Sequence, residues 1–189
     1  MTQEGFLSGR VLIAMPGIGD PRFERAVLLI CAHDSDHAMG LAVNRPAGNL
    51  TVPELFKRLN IESDIQAPAD LVLVGGPVER ERGFVLHTDD YQAEHSLGVA
   101  EGVALTATRE VLEAMAGRGV AAPRRAKLAL GYAGWGAGQL ESEIRDNVWL
   151  VCDPDEALLF DEDHDNKWTR ALAKLGVDPQ RLSSTAGRA

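Results

Sequence analysis

Residues 26–32, Ala-Val-Leu-Leu-Ile-Cys-Ala, form an unbroken apolar run that opens after Arg25 and closes on the polar stretch His33-Asp34-Ser35-Asp36-His37. Seven residues fall far short of the ~20 that a membrane-spanning helix needs. A short run of leucine and β-branched residues between turn signals predicts a strand buried on both faces. The polar stretch reads as a turn, so residues 38–44 follow as the second strand of a hairpin. Similar runs predict strands at 11–15, 71–74, 84–87, 99–105, 127–132 and 148–152.

Helices are predicted between them from capping chemistry. Asp20-Pro21 gives an N-cap followed by proline at the first helical position. Thr51-Val52-Pro53-Glu54 has capping-box spacing, with Leu55, Phe56 and Leu59 on one face beyond it. Thr108 is placed to cap a helix carrying Val111, Leu112 and Met115. Residues 139–145 read as a helix after a glycine-rich loop at 134–138, and Asp153-Pro154-Asp155-Glu156 as another helix start. Trp168, Leu172 and Leu175 mark a last amphipathic helix, ended by Gly176. Hairpins mixed with crossover helices predict an α/β protein with a mixed β-sheet. No repeat or long linker interrupts it, so residues 1–189 read as a single domain, with room for a small subdomain in a middle segment.

Charge narrows the function classes. The net charge is −9, and the stretch from Glu141 to Asp165 holds ten acids against one base, Arg145. An acidic chain without a basic stripe disfavours nucleic acid and anionic membranes as direct partners. The run Asp161-Glu162-Asp163-His164-Asp165 reads as a solvated loop without calcium-loop spacing. Cys31 and Cys152 both lie in apolar runs and read as reduced, buried thiols, which points to the cytoplasm.

Three clusters carry candidate chemistry. Gly131-Tyr132-Ala133-Gly134-Trp135-Gly136-Ala137-Gly138-Gln139-Leu140-Glu141 presents glycines before a helix, where free backbone N–H groups suit an anion. It has no nucleotide fingerprint and no P-loop lysine, and a tight strand-to-helix turn that packs Trp135 is the preferred reading, since glycine-rich turns are common without ligands. The cluster from Cys31 to His37 offers several metal-ligating types, but the two histidines lack helical spacing and the set is incomplete, so neither metal nor cofactor is assigned. Asn44-Arg45-Pro46, with Gly75-Gly76-Pro77 and His87, could hold an anion by charge-assisted bonds or simply terminate strands. The candidate ligand-binding set is therefore Asn44, Arg45, Gly75, Gly76, His87, Gly134, Trp135, Gly138, Gln139 and Glu141. Glu141 and Glu143, two apart on a helix, point different ways and make no acid/base dyad.

The order of these motifs resembles the YqgE/AlgH family of bacterial proteins over nearly the whole chain. The resemblance rests on Gly9-Arg10-Val11-Leu12-Ile13-Ala14-Met15-Pro16, on His33-Asp34, and on Ala38-Met39-Gly40-Leu41-Ala42-Val43-Asn44-Arg45-Pro46. It continues through Gly75-Gly76-Pro77-Val78, Gly83-Phe84-Val85-Leu86-His87, the segment from Gly131 to Glu141, Trp149, Leu158-Leu159-Phe160-Asp161 and Trp168. His37 departs from the pattern, standing where the family usually has glycine. The resemblance implies a mixed sheet layered with helices, of three-layer type, plus a smaller α+β part. It implies no established catalytic activity, and members are sometimes called transcriptional regulators.

Three readings follow. The first is a non-enzymatic cytosolic binding or regulatory protein, acting through a small ligand or a protein partner at strand ends. The second is an enzyme using His87 or His33 as acid/base, with Glu141 orienting it. The third is a direct DNA-binding regulator, which the net charge disfavours. Oligomeric state is left open.

Overall fold

In the computed structural model, residues 5–63, 69–117 and 121–182 are described. In chain order the strands and helices are β1 (Val11–Ala14), β2 (Val27–His33), β3 (His37–Ala42), β4 (Pro46–Thr51), α1 (Val52–Arg58), β5 (Leu71–Val74), β6 (Val78–Thr88), β7 (Leu97–Ala100), β8 (Val103–Thr106), α2 (Arg109–Met115), β9 (Ala126–Gly136), α3 (Gln139–Arg145), β10 (Trp149–Cys152), α4 (Glu156–Phe160) and α5 (Lys167–Lys174). Strands and helices are mixed, as an α/β reading requires.

The apolar run at 26–32 does form a strand covered on both sides. Along β1 and β2, Val11, Ile13, Val27, Leu29 and Cys31 enter one core with Leu158, Trp168 and Leu172 of α4 and α5. The alternating residues Leu12, Ala14, Leu28 and Ile30 enter another with Trp135, Leu140 and Trp149. This is the period-two division that a strand imposes on its side chains. A third core lies under α1 and α2, where Val52, Phe56 and Val111 pack on Val72, Val85 and Leu128.

The strands run β10-β1-β2-β3-β9-β6-β8-β7, with β4 and β5 attached beside β9. All pairings are antiparallel except β5 with β9. Strand β9 is the seam. Its first half pairs with β5 and β6, and its last four residues pair with β3. The sheet curls until β7 comes against β2, so that Val99, Val103 and Leu105 share a core with Leu29 and Cys31. The result is a half-barrel.

Two backbones touch where β5 ends against β9. A Cβ on Gly76 would lie 2.1 Å from the Tyr132 carbonyl carbon, and one on Gly131 would lie 2.5 Å from Gly76 O. Gly131 also has φ +77°. These glycines serve close backbone approach.

Several local expectations are met. Thr51 Oγ1 accepts from Glu54 N at the start of α1, and Asp20 caps a 3₁₀ turn at Pro21–Phe23. The 34–37 turn joins β2 to β3. Others are corrected. Residues 99–105 are not one strand but the hairpin β7–β8, because Gly102 takes φ +74° and reverses the chain. The expected glycine-rich loop at 134–138 is mostly strand. Pairing with β3 carries β9 through Gly136, and only Ala137-Gly138 turns. Thr108 stands at the N-cap of α2 but makes no capping bond, and its hydroxyl is buried without a partner. Strand β4 was not expected at all.

The acidic run is solvated only in part. Glu162, Asp163 and Asp165 are exposed, but Asp161 and Glu162 also reach two buried lysines. Lys127 Nζ, on β9, meets Asp70 at 3.2 Å and Glu162 at closer range. Lys167 Nζ, fully buried on α5, donates to Val43 O at 2.9 Å and lies 4.0 Å from Asp161. His164 is buried beside them, 3.4 Å from Glu162.

Candidate functional site

The sequence-predicted residues do not converge on one site. Asn44 and Arg45 serve the backbone around them. Asn44 Oδ1 accepts from Val27 N at 3.0 Å, and its amide donates to Arg25 O. Arg45 donates to Glu24 O at 2.6 Å and to Pro21 O at 3.3 Å, tying down the 3₁₀ turn. Gly75 and Gly76 are consumed by the contact with β9.

His87 is fully buried on β6. Its Nδ1 donates to Thr88 O at 2.8 Å, so Nε2 accepts from the Thr106 hydroxyl at 2.7 Å. Ser96 extends the chain with a 2.7 Å bond to Thr106. Both ring nitrogens are spent within the protein.

His33 meets Glu141, the pairing proposed for an acid/base. Leu7 N donates to His33 Nδ1 at 2.9 Å, which places the ring proton on Nε2, where it is given to Glu141 Oε1. The ring is 1% exposed and Phe6 stands edge-on to it. The carboxyl of Glu141 is held below its ordinary range, first by its own backbone N–H and then by His33, against partial burial. The pair clamps the segment before β1 to α3.

Gly138, at φ +72°, turns the chain from β9 into α3. Gln139 Oε1 accepts from Gly136 N, and its amide donates to Glu143. Glu143 Oε1 also takes both Trp135 Nε1 and Trp149 Nε1. Glu141 and Glu143 thus hold different partners, as their spacing implies. In the Cys31–His37 segment, burial pushes the Cys31 thiol up to about 12, and His37 pairs with Asp34 at 3.1 Å. Among the described residues no three His, Cys, Asp or Glu side chains are gathered to hold a metal.

An unfilled space remains at the open end of the half-barrel. It is a cleft of about 650 Å³ between β3, β9, β6 and the β7–β8 hairpin. Met39, Phe84, Leu105 and Tyr132 form its floor, with Gly134 and part of Trp135 on one side. His37, Arg82 and His95 stand on its rim. Two of the molecule's exposed large apolar side chains, Val78 and Leu97, also face it. The volume is that of a small-molecule site.

A bulge in β6 builds the Arg82 rim. Val78 opposes Tyr132 and Gly83 opposes Leu130, so Glu79 to Arg82 have no one-to-one partners on β9. Glu79 takes φ +45°, a left-handed conformation costly for a side-chain-bearing residue. Bulges re-aim side chains in this way. Here Arg82 lies over the Phe84 ring, 5.1 Å from its centroid, and reaches Glu79 at 3.5 Å. Burial, then a hydrogen bond with Glu79, pushes the Tyr132 phenol up.

Of the residues chosen from the sequence, Gly134 and Trp135 line this cleft. Arg82, Tyr132, Met39 and His95 were missed as site residues. The charged Glu-Arg-Glu-Arg run at 79–82 resembles an ordinary solvated loop, and only its placement as a bulge beside β9 gives it a role.

No helix among the described residues is long and apolar enough to cross a membrane. Comparison with known proteins places the chain among bacterial relatives. It is 70% identical over 185 residues to a UPF0301 protein of Caulobacter vibrioides, covering 97% of this chain and 94% of the relative. It is 49% identical to a UPF0301 protein of Rhodospirillum rubrum, over 98% of this chain and 96% of that one. The solution structure of the AlgH protein from Pseudomonas aeruginosa, also UPF0301, matches with a TM-score of 0.76 at 38% identity, covering 100% of this chain and 99% of that chain. A Corynebacterium diphtheriae crystal structure at 18% identity shares the fold, with a TM-score of 0.70 over 91% of this chain and 88% of that chain. The AlgH-like family model matches residues 11–180. With its curled sheet and its relatives in agreement, this chain belongs to the AlgH-like family.

Proposed function

We propose that the protein is a non-enzymatic binding protein of the cytoplasm, and that the cleft at the open end of the half-barrel is its ligand seat. A regulatory role would then be exerted through the bound ligand or a protein partner. The observation that carries this reading is the cleft itself, about 650 Å³ over an apolar floor, more spacious than the grooves beside α1, α2 and α4. The fully bonded states of His33 and His87 support binding over catalysis. Direct DNA contact is not part of the reading, since the chain carries −9.

Gly134 and Trp135 keep their place in the site. Asn44, Arg45, Gly75, Gly76, His87, Gly138, Gln139 and Glu141 become the scaffold that holds it. The three-layer arrangement with a smaller α+β part belongs to the same reading, supported by β1 and β2 feeding cores on both faces.

The test is a fluorescence titration with N-phenyl-1-naphthylamine, a neutral apolar dye. A Cβ at Gly134 meets Tyr132 at 3.6 Å and Val78 at 4.0 Å, ordinary contacts, so Gly134→Val narrows the cleft beside Tyr132 without breaking the strand. Dye enhancement in the parent protein and a weaker affinity in the variant are expected. No enhancement, or equal affinity in both, overturns the reading.

A further inference from the structure

Charge separates this cleft from three others among the described residues. Asp89, Asp90, Glu101, Asp155 and Glu156 line the space beside the β7–β8 hairpin and α4. Asp70, Asp161 and Glu162 line the one under α1 and α4. Glu81 lines the groove between α1 and α2. The cleft at the half-barrel mouth has no carboxylate among its lining residues, although the whole chain carries −9. Its ionisable rim groups are Arg82, His37 and His95, with the Tyr132 phenol below.

Two acids beside that rim are already engaged, while Asp36, Glu81 and Glu94, next to the rim residues in sequence, are not among the cleft's lining. Glu79 accepts from Arg82 and from Tyr132, and Asp34 accepts from His37 as well as from the Asp36 and His37 backbone amides. Arg82 itself is about half exposed, held above Phe84, and bonded to Glu79 only at 3.5 Å. A guanidinium presented at the edge of an apolar floor can exchange that loose contact for a shorter, bidentate one with an arriving anion.

We propose that the cleft takes a small amphiphilic anion, with its apolar body on Met39, Phe84, Leu105 and Tyr132 and its acidic head on Arg82. The inference rests on the binding reading above and specifies its ligand class. The strained bulge at Glu79 is then the device that carries the guanidinium to the mouth of the cleft.

A matched pair of dyes tests it. N-phenyl-1-naphthylamine and 1-anilinonaphthalene-8-sulfonate share one apolar body and differ by a sulfonate. The anionic dye is expected to bind about two- to fivefold more tightly, an exposed charge-assisted bond being worth less than a buried one. Arg82→Gln should abolish that preference, read as the ratio of the two dye affinities within the variant, and Glu79→Gln, which removes the charge that holds Arg82, should increase it. Decanoate should displace the anionic dye at concentrations where decanol does not. If both dyes bind equally in the parent protein, or Arg82→Gln keeps the preference, the anion inference fails while the binding cleft stands. If neither dye binds, both fail.

Discussion

Trp135 and Trp149 meet edge to face with ring centroids 6.1 Å apart, and both indole N–H groups donate to the same oxygen of Glu143, at 3.1 and 2.9 Å. One carboxylate on α3 thus satisfies two buried indoles from β9 and β10. Replacing it with Glu143→Ala strands both donors, at about 1–3 kcal/mol for each. Urea unfolding should register that loss, with a shift in tryptophan emission. Glu143→Gln keeps an acceptor at the same place and should lose distinctly less. Equal losses in the two variants would remove the carboxamide-competent acceptor role.

His33→Ala should loosen the segment before β1. Leu7 N loses its acceptor and Glu141 its donor, while the strands keep their ladder. Amide exchange read by NMR should accelerate at Leu7 far more than at Leu29 in the middle of β2. Uniform acceleration along β2 would mean that the pair supports the whole sheet.

Gly76→Ala tests the backbone contact between β5 and β9. The added carbon would sit 2.1 Å from the Tyr132 carbonyl carbon, and backbone cannot step aside as a flexible side chain can. A loss of about 3–5 kcal/mol follows, in the range of severe core overpacking. Gly136→Ala, with nothing within 4 Å of the new carbon, is the control that should fold normally.

The buried lysine gives stability a pH dependence of defined sign. Burial, reinforced by Lys127 and opposed by Asp161, pushes the Lys167 ammonium down to about 8 from an ordinary 10.5. Between those values the unfolded chain holds a proton that the folded chain has released, so stability rises with pH. From pH 8 to 9 the gain is up to about 1 kcal/mol. Above pH 9 the Cys31 thiol, pushed up to about 12 by burial, acts in the opposite sense and cancels it. Urea midpoints should therefore climb from pH 8 to 9 and then level off. Lys167→Met should flatten the climb, and Cys31→Ala should prolong it. A midpoint that falls from pH 8 to 9 would contradict the assignment.

What could be read in the sequence was what neighbours along the chain decide. The double burial of β2, the turn before β3 and the Thr51 cap each depend on a few adjacent residues. Strand β4 escaped because Pro46-Ala47-Gly48-Asn49 has no apolar run, and its pairing with β5 is supplied from Leu71 and Leu73. The extension of β9 through Gly136 is likewise set by Met39 and its neighbours on β3. The acidic run reads as fully solvated because Lys127 lies far along the chain inside an apolar strand, and because Lys167, though only two residues beyond the run, is buried by the packing of α5, which no local pattern shows. The cleft was the least legible feature. It joins residues from six strands, β2, β3, β6, β7, β8 and β9, and its guanidinium arrives through a bulge that no local pattern announces.

The sheet order has a consequence for synthesis on the ribosome. Strand β1 closes only against β10, and β3 only against the last residues of β9, which are made long after β1, β2 and β3. The most apolar strands therefore leave the exit tunnel first and wait, with open edges, for the covering helices α3, α4 and α5 that come last. Until those later segments are made, β1, β2 and β3 have apolar faces and strand edges with no native cover, the kind of surface on which nascent chains aggregate.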